Sequence, residues 1–550
     1  MTMTLNDLFY GLPLVVAAPW AWRRLQLSMA KHPSLAGHSR MAKRVAGFLP
    51  GYSYDANRFF DADGAPQEFV TRRREGFRRL ASGFLERHPK SIEATAEAAE
   101  HLSDLQFTRT YRVPFQFSRH LRQNLKFGGV VDRTDGPFVV DLDAQRAYDL
   151  TGSYGVNVFG HEFYKSCMTE AAERVRDLGV VLGPLHPCVA WNAERLCRTS
   201  GKDEVSFHMS GTEAVMQAVR LARYHTGRRQ VVRFCGAYHG WWDEVQPGPG
   251  NPMPPGRIYT LKEMDDATLR VLRTRKDIAC VLVNPLQALH PNRPAPGDST
   301  LVDGSRRAGF DREAYTRWLV SLRQVCTERG IVLLFDEVFM GFRLAPGGAQ
   351  EYFGVQADLV TYGKTLGGGF PVGVVCGRAD LMKRFREERP ADICFARGTF
   401  NSHPQVMAAM QVFLERMERP EIRDLYRNLD DRWNRRAAAL NQRFRDVGAP
   451  VQVAHLSTVW TFLYTRPSRY HWMFQFYLRA EGIALSWVGS GRLIFSLDLS
   501  DTDFEEITAR MVRAAQAMDR DGWWWSDPVL TQRSIRRTLL SEMVREILAP

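Results

Sequence analysis

The sequence has no C-x-x-C pair. Its eight cysteines (Cys167, Cys188, Cys197, Cys235, Cys280, Cys326, Cys376 and Cys394) are scattered without paired spacing. That argues against both a zinc site and a disulfide framework, and predicts a reducing, cytoplasmic setting. Long apolar runs are equally scarce. Leu8–Trp22 is the one candidate, and its about fifteen residues fall short of the roughly 20 that span a bilayer. Pro13 and Pro19 interrupt it and no basic region precedes it, which argues against a cleaved signal. Acid is the minority charge: 73 Lys and Arg against 61 Asp and Glu leave a formal +12. The arginines are spread widely, with small clusters at Arg72–Arg74 and Arg536–Arg537. No nucleic-acid motif surrounds them, so the basic balance reads as a solvated surface.

What is present is concentrated between Ile331 and Pro371. The apolar run Ile331–Phe335 is rich in branched residues, as a buried parallel strand requires, and it ends in Asp336 and Glu337. A second run, Leu359–Tyr362, leads to Gly363-Lys364-Thr365 and the glycines Gly367, Gly368 and Gly369. Acid and lysine therefore both stand at strand ends, where open α/β sheets bind ligands. A phosphate loop of the G-x-x-x-x-G-K type is excluded, because Asp358 occupies the position of its first glycine. The cofactor that calls for a buried acid together with a lysine is pyridoxal 5'-phosphate (PLP), with a lysine Schiff base and a carboxylate on the pyridinium nitrogen.

At 550 residues the chain exceeds one ordinary domain. Residues 1–112 read as a helical N-terminal extension, with helical spacing over Glu68–Arg87 and Ser91–Leu105. Phe138–Asp143 and Arg146–Asp149 read as a hairpin. Strands then alternate with helices, as in a doubly wound α/β domain: strands at Val205–Met209, Val231–Phe234 and Ile278–Val283, and helices after Ser210 and over Asp311–Arg329. Two long helices are expected at Gln405–Glu418 and Glu421–Val447, broken at Pro420. A smaller α+β portion follows, with strands at Ser457–Tyr464 and Arg492–Leu497 and helices at Tyr470–Glu481 and Asp503–Ala517. The tail, with Trp523–Trp525 and a basic helix over Thr531–Leu548, reads as appended.

Ser210-Gly211-Thr212 sits at a strand-to-helix junction, where free N–H groups and the helix dipole attract a dianionic phosphate. Taken alone, the same residues also make an ordinary helix cap. Tyr238-His239-Gly240 puts an aromatic just past a strand end, able to stack on a flat cofactor. Asp336 suits the ring nitrogen, and Lys364 suits both covalent attachment and proton transfer, a role that burial and nearby positive charge would favour by lowering its pKa. His239 is not the expected acid/base.

In order, the segments SGTEAVMQAVRLAR, FCGAYHG, DEVFMGFR, DLVTYGKTLGGGFPVG and RGTFNSHP resemble the class III PLP-dependent aminotransferases, most closely their glutamate-1-semialdehyde 2,1-aminomutase branch. The likeness covers roughly Val113–Asp519. It implies fold type I: a large, mainly parallel seven-stranded sheet domain plus a smaller α/β domain. The implied division is 1–112 N-terminal extension, 113–185 first part of the small domain, 186–400 PLP-binding domain, 401–519 connecting helices and C-terminal small domain, and 520–550 tail. It further implies that Ser210, Gly211 and Thr212 hold the phosphate, Tyr238 stacks on the ring with His239 beside it, and Val338 packs beneath. Asp336 would pair with the ring nitrogen and Lys364 would form the Schiff base. Thr399 would reach the phosphate of a neighbouring subunit in a homodimer with shared active sites. Tyr154 would line the substrate pocket, and Arg119 and Arg122 stand near the branch's carboxylate site. Asn284 replaces the family's usual Glu beside the cofactor. The segment Ser486–Arg492 has no acid where the aminomutase branch has a gating one.

The expected activity is transfer of an amino group from an amino donor to a carbonyl acceptor, without a metal. The alternatives are an intramolecular aminomutase and, third, a non-catalytic binding protein on the same fold. The aromatics Phe9, Tyr10, Trp20 and Trp22, followed by Arg23-Arg24, make the N-terminal segment a candidate for peripheral docking on an anionic membrane. The tryptophan-rich tail is a second candidate.

Overall fold

A computed structural model describes residues 5–293, 307–486 and 491–548, with side chains in the first helix described from residue 18. Its centre is a seven-stranded sheet. The strands lie in the order Glu204–His208, Gly373–Gly377, Leu359–Gly363, Val332–Asp336, Ile278–Val283, Gln230–Phe234 and Ile258–Leu261. All neighbours are parallel except Gly373–Gly377, which runs antiparallel to both of its partners.

The middle strands are buried along their whole length, so they read as unbroken apolar runs and not as alternation. Period two still sorts their side chains onto two faces. Val332, Leu334, Cys280 and Leu282 pack with Ala214, Val215, Ala218 and Ala222 of the helix Gly211–Thr226. Leu333, Phe335, Val281 and Val283 share the opposite layer with Trp318, Leu319 and Leu322 of the helix Arg312–Arg329. Ser210 and Asp311 cap these two helices, accepting from the N–H groups of Glu213 and Ala314.

A smaller portion joins distant parts of the chain. The antiparallel strands Val131–Asp135, Phe138–Asp141 and Arg146–Asp149 gain Ile483–Ala484 as a parallel edge. A second sheet pairs Val451–Leu456, Val459–Tyr464 and Arg492–Ile494. Before these, the described part of the N-terminal extension is helical, at Leu5–Ala30, Ser39–Phe48, Gln67–Arg87, Pro89–His101 and Ser103–Tyr111.

Several expectations need correction. The first helix is continuous through Pro13 and Pro19, which therefore do not divide it. The expected helix over Glu421–Val447 is two, Pro420–Asp424 and Leu429–Asp446. Asn428 between them is left-handed, at φ 51°, a conformation that asparagine tolerates better than most residues. Just before it the Tyr426 hydroxyl turns inward to the Phe342 carbonyl at 2.5 Å. The strands Ile258–Leu261, Gly373–Gly377 and Val451–Leu456 were not expected from the sequence.

The tail is not an appendage. Trp523 and Trp524 are buried. Trp523 packs beside Tyr470 and Phe60. Next to it the buried Arg73 makes two 2.8 Å bonds to Asp63 and lies 4.4 Å from the Tyr470 ring centre. Further on, Glu542 of the last helix accepts from Tyr52 and Tyr54 at 3.0 and 2.6 Å and pairs with Arg58 and Arg469. Trp20 and Trp22 are exposed, on a helix whose Ala30 carbonyl accepts from Lys262. Among the described residues no helix is long and apolar enough to cross a membrane.

Trp523→Ala should cost about 3–5 kcal/mol of local stability, the usual range for an emptied aromatic site. Hydrogen exchange should then speed up in both Gln67–Arg87 and Gln532–Leu548. Unchanged protection in both helices would contradict this anchoring.

Candidate functional site

Five chain segments leave the central sheet on the same side. Tyr238 and His239 follow Gln230–Phe234, Asn284 follows Ile278–Val283, Asp336 ends Val332–Asp336 and Lys364 follows Leu359–Gly363. Ser210 caps the helix that follows Glu204–His208. Together with Gly211, Thr212 and Val338 they line one cavity of about 640 Å³. Nine of the sequence candidates thus meet at the carboxyl ends of the strands.

The Asp336 carboxylate is fixed on three sides. One oxygen accepts from the Val338 N–H at 3.2 Å and the Thr361 hydroxyl at 3.3 Å, and the other lies 2.8 Å from His239 Nδ1. A carboxylate can only accept, so with Asp336 in that form Nδ1 is the donor of this bond. His239 Nε2 is then a buried acceptor with no protein partner among the described residues. Burial holds the His239 pKa below its ordinary value, against the pull of the Asp336 hydrogen bond. Burial and Asp336 both raise that of Tyr238. Asn284 is used locally: its amide donates to the Tyr238 carbonyl at 2.8 Å and its oxygen accepts from the Leu286 N–H.

The turn at Ser210–Thr212 can take an anion. Gly211 and Thr212 open a helix, so their N–H groups have no carbonyl one turn earlier to bond. A β-carbon on Gly211 would lie 2.6 Å from Val338 Cγ1, so glycine is what lets the helix end approach Val338. Gly240, at φ 92°, meets Thr212 in the same way.

Lys364 has φ 49°, a conformation that strains a residue with a β-carbon and clusters at functional sites. Burial lowers its pKa most; Asp336 opposes that shift, while Arg492 and Arg343 add to it. Its amine lies 5.5 Å from the Phe339 ring centre. Arg343 is wholly buried, and its guanidinium donates to the Thr458 hydroxyl and to the carbonyls of Phe495, Gly155 and Asn157. Below the lysine turn, the Thr365 and Tyr164 hydroxyls meet at 2.6 Å.

Not every candidate converges. Arg119 and Arg122 line a separate concavity on the N-terminal side with Arg109 and Lys126, because the helix Phe115–Asn124 packs against the extension and not against the sheet ends. Tyr154, at φ 56°, opens onto another cavity, while Val156 two residues on lines the Lys364 cavity. Thr399 is exposed and lies outside the lining. Of the segment Ser486–Arg492, residues 487–490 lie outside those described. The charged residue that reasoning from sequence missed is Arg492, which enters the cavity from the small portion and is lowered by burial to about 10. The sequence signal was only an arginine opening an expected strand. Among the described residues no cluster of ligating side chains suits a metal.

The profile of the family described as Aminotransferase class-III matches residues 121–245 and 300–514, more than half of the chain. Glutamate-1-semialdehyde 2,1-aminomutase of Hyperthermus butylicus is 33% identical over 296 residues, 52% of this chain and 66% of that protein. The enzyme of the same name from Desulfotalea psychrophila is 33% identical over 355 residues, 61% of this chain and 76% of its own. The first of these alignments spans just under two thirds of the relative's length. Among solved structures, a β-phenylalanine aminotransferase from Variovorax paradoxus superposes with TM-score 0.63 at 26% identity, covering 80% of this chain and 96% of that one. An omega-transaminase from Sphaerobacter thermophilus does so with TM-score 0.63 at 25% identity, covering 79% and 99%.

The depressed Lys364 pKa should be measurable directly. Acetic anhydride labelling followed by mass spectrometry should give half-maximal reactivity of this amine below 10.5, with labelling rising as pH increases. An inflection at or above the free-lysine value would contradict the burial argument.

Proposed function

Because the chain belongs to the class-III aminotransferase family, we propose that it is a PLP-dependent aminotransferase acting between an amino donor and a separate carbonyl acceptor. The observation that carries this reading is the union, in one cavity, of Lys364, Asp336 and an anion-ready helix start at Ser210–Thr212. The residues fit PLP: donors for a phosphate, a fixed carboxylate for a ring nitrogen, an amine, and Tyr238 and Val338 as walls for a flat ring. When bound, that cofactor supplies an electrophilic aldehyde and an electron-accepting ring.

The chain's own groups then divide the work. Gly211 and Thr212 N–H groups, with the hydroxyls of Ser210 and Thr212, hold the phosphate. Asp336, held by Thr361, Val338 and His239, keeps a negative charge where a ring N–H would point. Lys364, with a pKa below the ordinary lysine value, spends more of its time as a neutral amine that can take a proton from the substrate carbon and return it. Arg492 adds positive charge to the same cavity, which suits a substrate bearing a carboxylate.

Thr399 lies outside its own chain's cavity, which supports the homodimer reading, in which it serves a second copy. All eight cysteines are free thiols, in keeping with a cytoplasmic setting. The exposed Trp20 and Trp22 keep the first helix as a candidate for peripheral membrane contact. An intramolecular aminomutase is the second reading, favoured by the names of the curated relatives. Asn284 and the absence of an acid in Ser486–Arg492 argue against it.

Lys364→Ala should fold, lose the visible absorbance band of the bound cofactor and lose about 10²–10⁴-fold of its turnover, the range for a removed acid/base group. A variant that keeps band and rate would refute the assignment. A screen of amino donors against carbonyl acceptors should yield one aminated acceptor per donor consumed. Amino shifts within a single substrate, with no transfer to any separate acceptor, would favour the aminomutase instead.

A further inference from the structure

A second cavity, of about 840 Å³, lies where the N-terminal extension meets the small sheet. Phe84, Phe127, Val139, Ala147 and Leu485 give it apolar walls, and Phe84 and Arg87 come from the extension, ahead of the residues matched to the family. Tyr154 faces this space.

The acids of its lining are each engaged away from Arg87 and Arg479. Asp141 is engaged by His88 at 2.6 Å, Asp149 lies 3.0 Å from His161, and Glu481 pairs with Arg513 at 2.9 Å. Arg146 and Arg510 have Asp135 and Glu506. Two guanidiniums are left facing only neutral acceptors among the described residues. Arg479 donates to the Gln475 carbonyl and side-chain oxygen and to the Ser486 carbonyl, 3.0–3.3 Å away. Arg87, on the exposed rim, donates to the carbonyls of Gly83 and Ala480. Arg479 also lies 5.3 Å from the Phe127 ring centre, so positive charge and apolar wall adjoin. Burial depresses the Arg479 pKa to about 10, the direction expected of a cation lacking its counter-charge. An apolar cavity with a few converging polar groups is the usual form of a small-molecule site.

We propose that this cavity binds a monoanion with an apolar body, of which a medium-chain carboxylate is the simplest example. Its carboxylate lies at Arg479 and its chain along Phe84, Phe127 and Ala147. Two sources share this chemistry: the far end of the protein's own carbonyl substrate, reaching past Tyr154, or a separate ligand.

Titration calorimetry on the full chain with sodium octanoate and 1-octanol tests the proposal whether or not the aminotransferase reading holds. Octanoate should bind once per chain and at least ten-fold more tightly than the alcohol. Arg479→Gln should weaken octanoate at least ten-fold and octanol far less, and Ala147→Trp should fill the cavity and remove both. Arg87→Gln, on the rim, should lower octanoate affinity about three-fold and serves if Arg479→Gln does not fold. Equal binding of acid and alcohol, or undiminished octanoate binding in an Ala147→Trp protein with a normal melting curve, overturns the proposal. In turnover assays, competition between octanoate and the carbonyl acceptor identifies a substrate tail, and non-competitive behaviour identifies a separate ligand.

Discussion

The Arg343 guanidinium is wholly buried, and it meets hydroxyl and carbonyl oxygens where an arginine would ordinarily seek a carboxylate. Burying such a charge is costly, and burial depresses its pKa to about 10. Its acceptors belong to two distant segments: Gly155 and Asn157 before the central sheet, and Thr458 and Phe495 after it. Arg343 itself follows Asp336 by seven residues. One side chain thus ties the strand-end acid to both parts of the small portion, so the wall that carries Arg492 is set by the same residue run that carries the site's carboxylate. Any shift between the two portions leaves hydrogen-bond donors unmet in a region where that is expensive.

Much of the site could be read from sequence because its residues sit directly after apolar runs. Asp336 ends a buried strand, Asn284 and Lys364 directly follow one, Tyr238 lies four residues past another, and Ser210 caps a helix. For these residues, position along the chain predicts position in space. The same logic fails for Arg492, whose arrival depends on the pairing of Arg492–Ile494 with Val459–Tyr464. Nothing in its neighbours marks that contact. Arg119 and Arg122 illustrate the opposite error. A basic pair on a short helix looks the same in sequence whether the helix borders a ligand or an appended domain, and only tertiary packing decides between them.

The fold was legible to the same degree and for the same reason. Runs such as Ile278–Val283 are buried on both faces and leave an unmistakable pattern. Gly373–Gly377 is bounded by glycines and follows a glycine-rich turn, so its short apolar centre was absorbed into a loop. Ile258–Leu261, at the sheet edge, has buried residues only at its second half. The packing of Trp523 and Trp524 could not be read from the sequence, because a triple tryptophan followed by basic residues has the same composition whether it is buried or exposed.

The contact between Tyr54 and Glu542 spans 488 residues. During synthesis the acceptor for the tyrosine, and for the two arginines that share it, emerges from the ribosome 488 residues after Tyr54. At roughly 5–20 residues per second, the N-terminal helices wait on the order of half a minute to a minute and a half for their closing partner. Until then the aromatic surface around Phe59, Phe60 and Phe77, which is covered in part by Trp472 and Trp523, remains open to solvent. A stop that removes Gln532–Leu548 would leave Tyr52, Tyr54 and Arg58 without their shared acceptor, so the damage of a late truncation reaches the N-terminal extension.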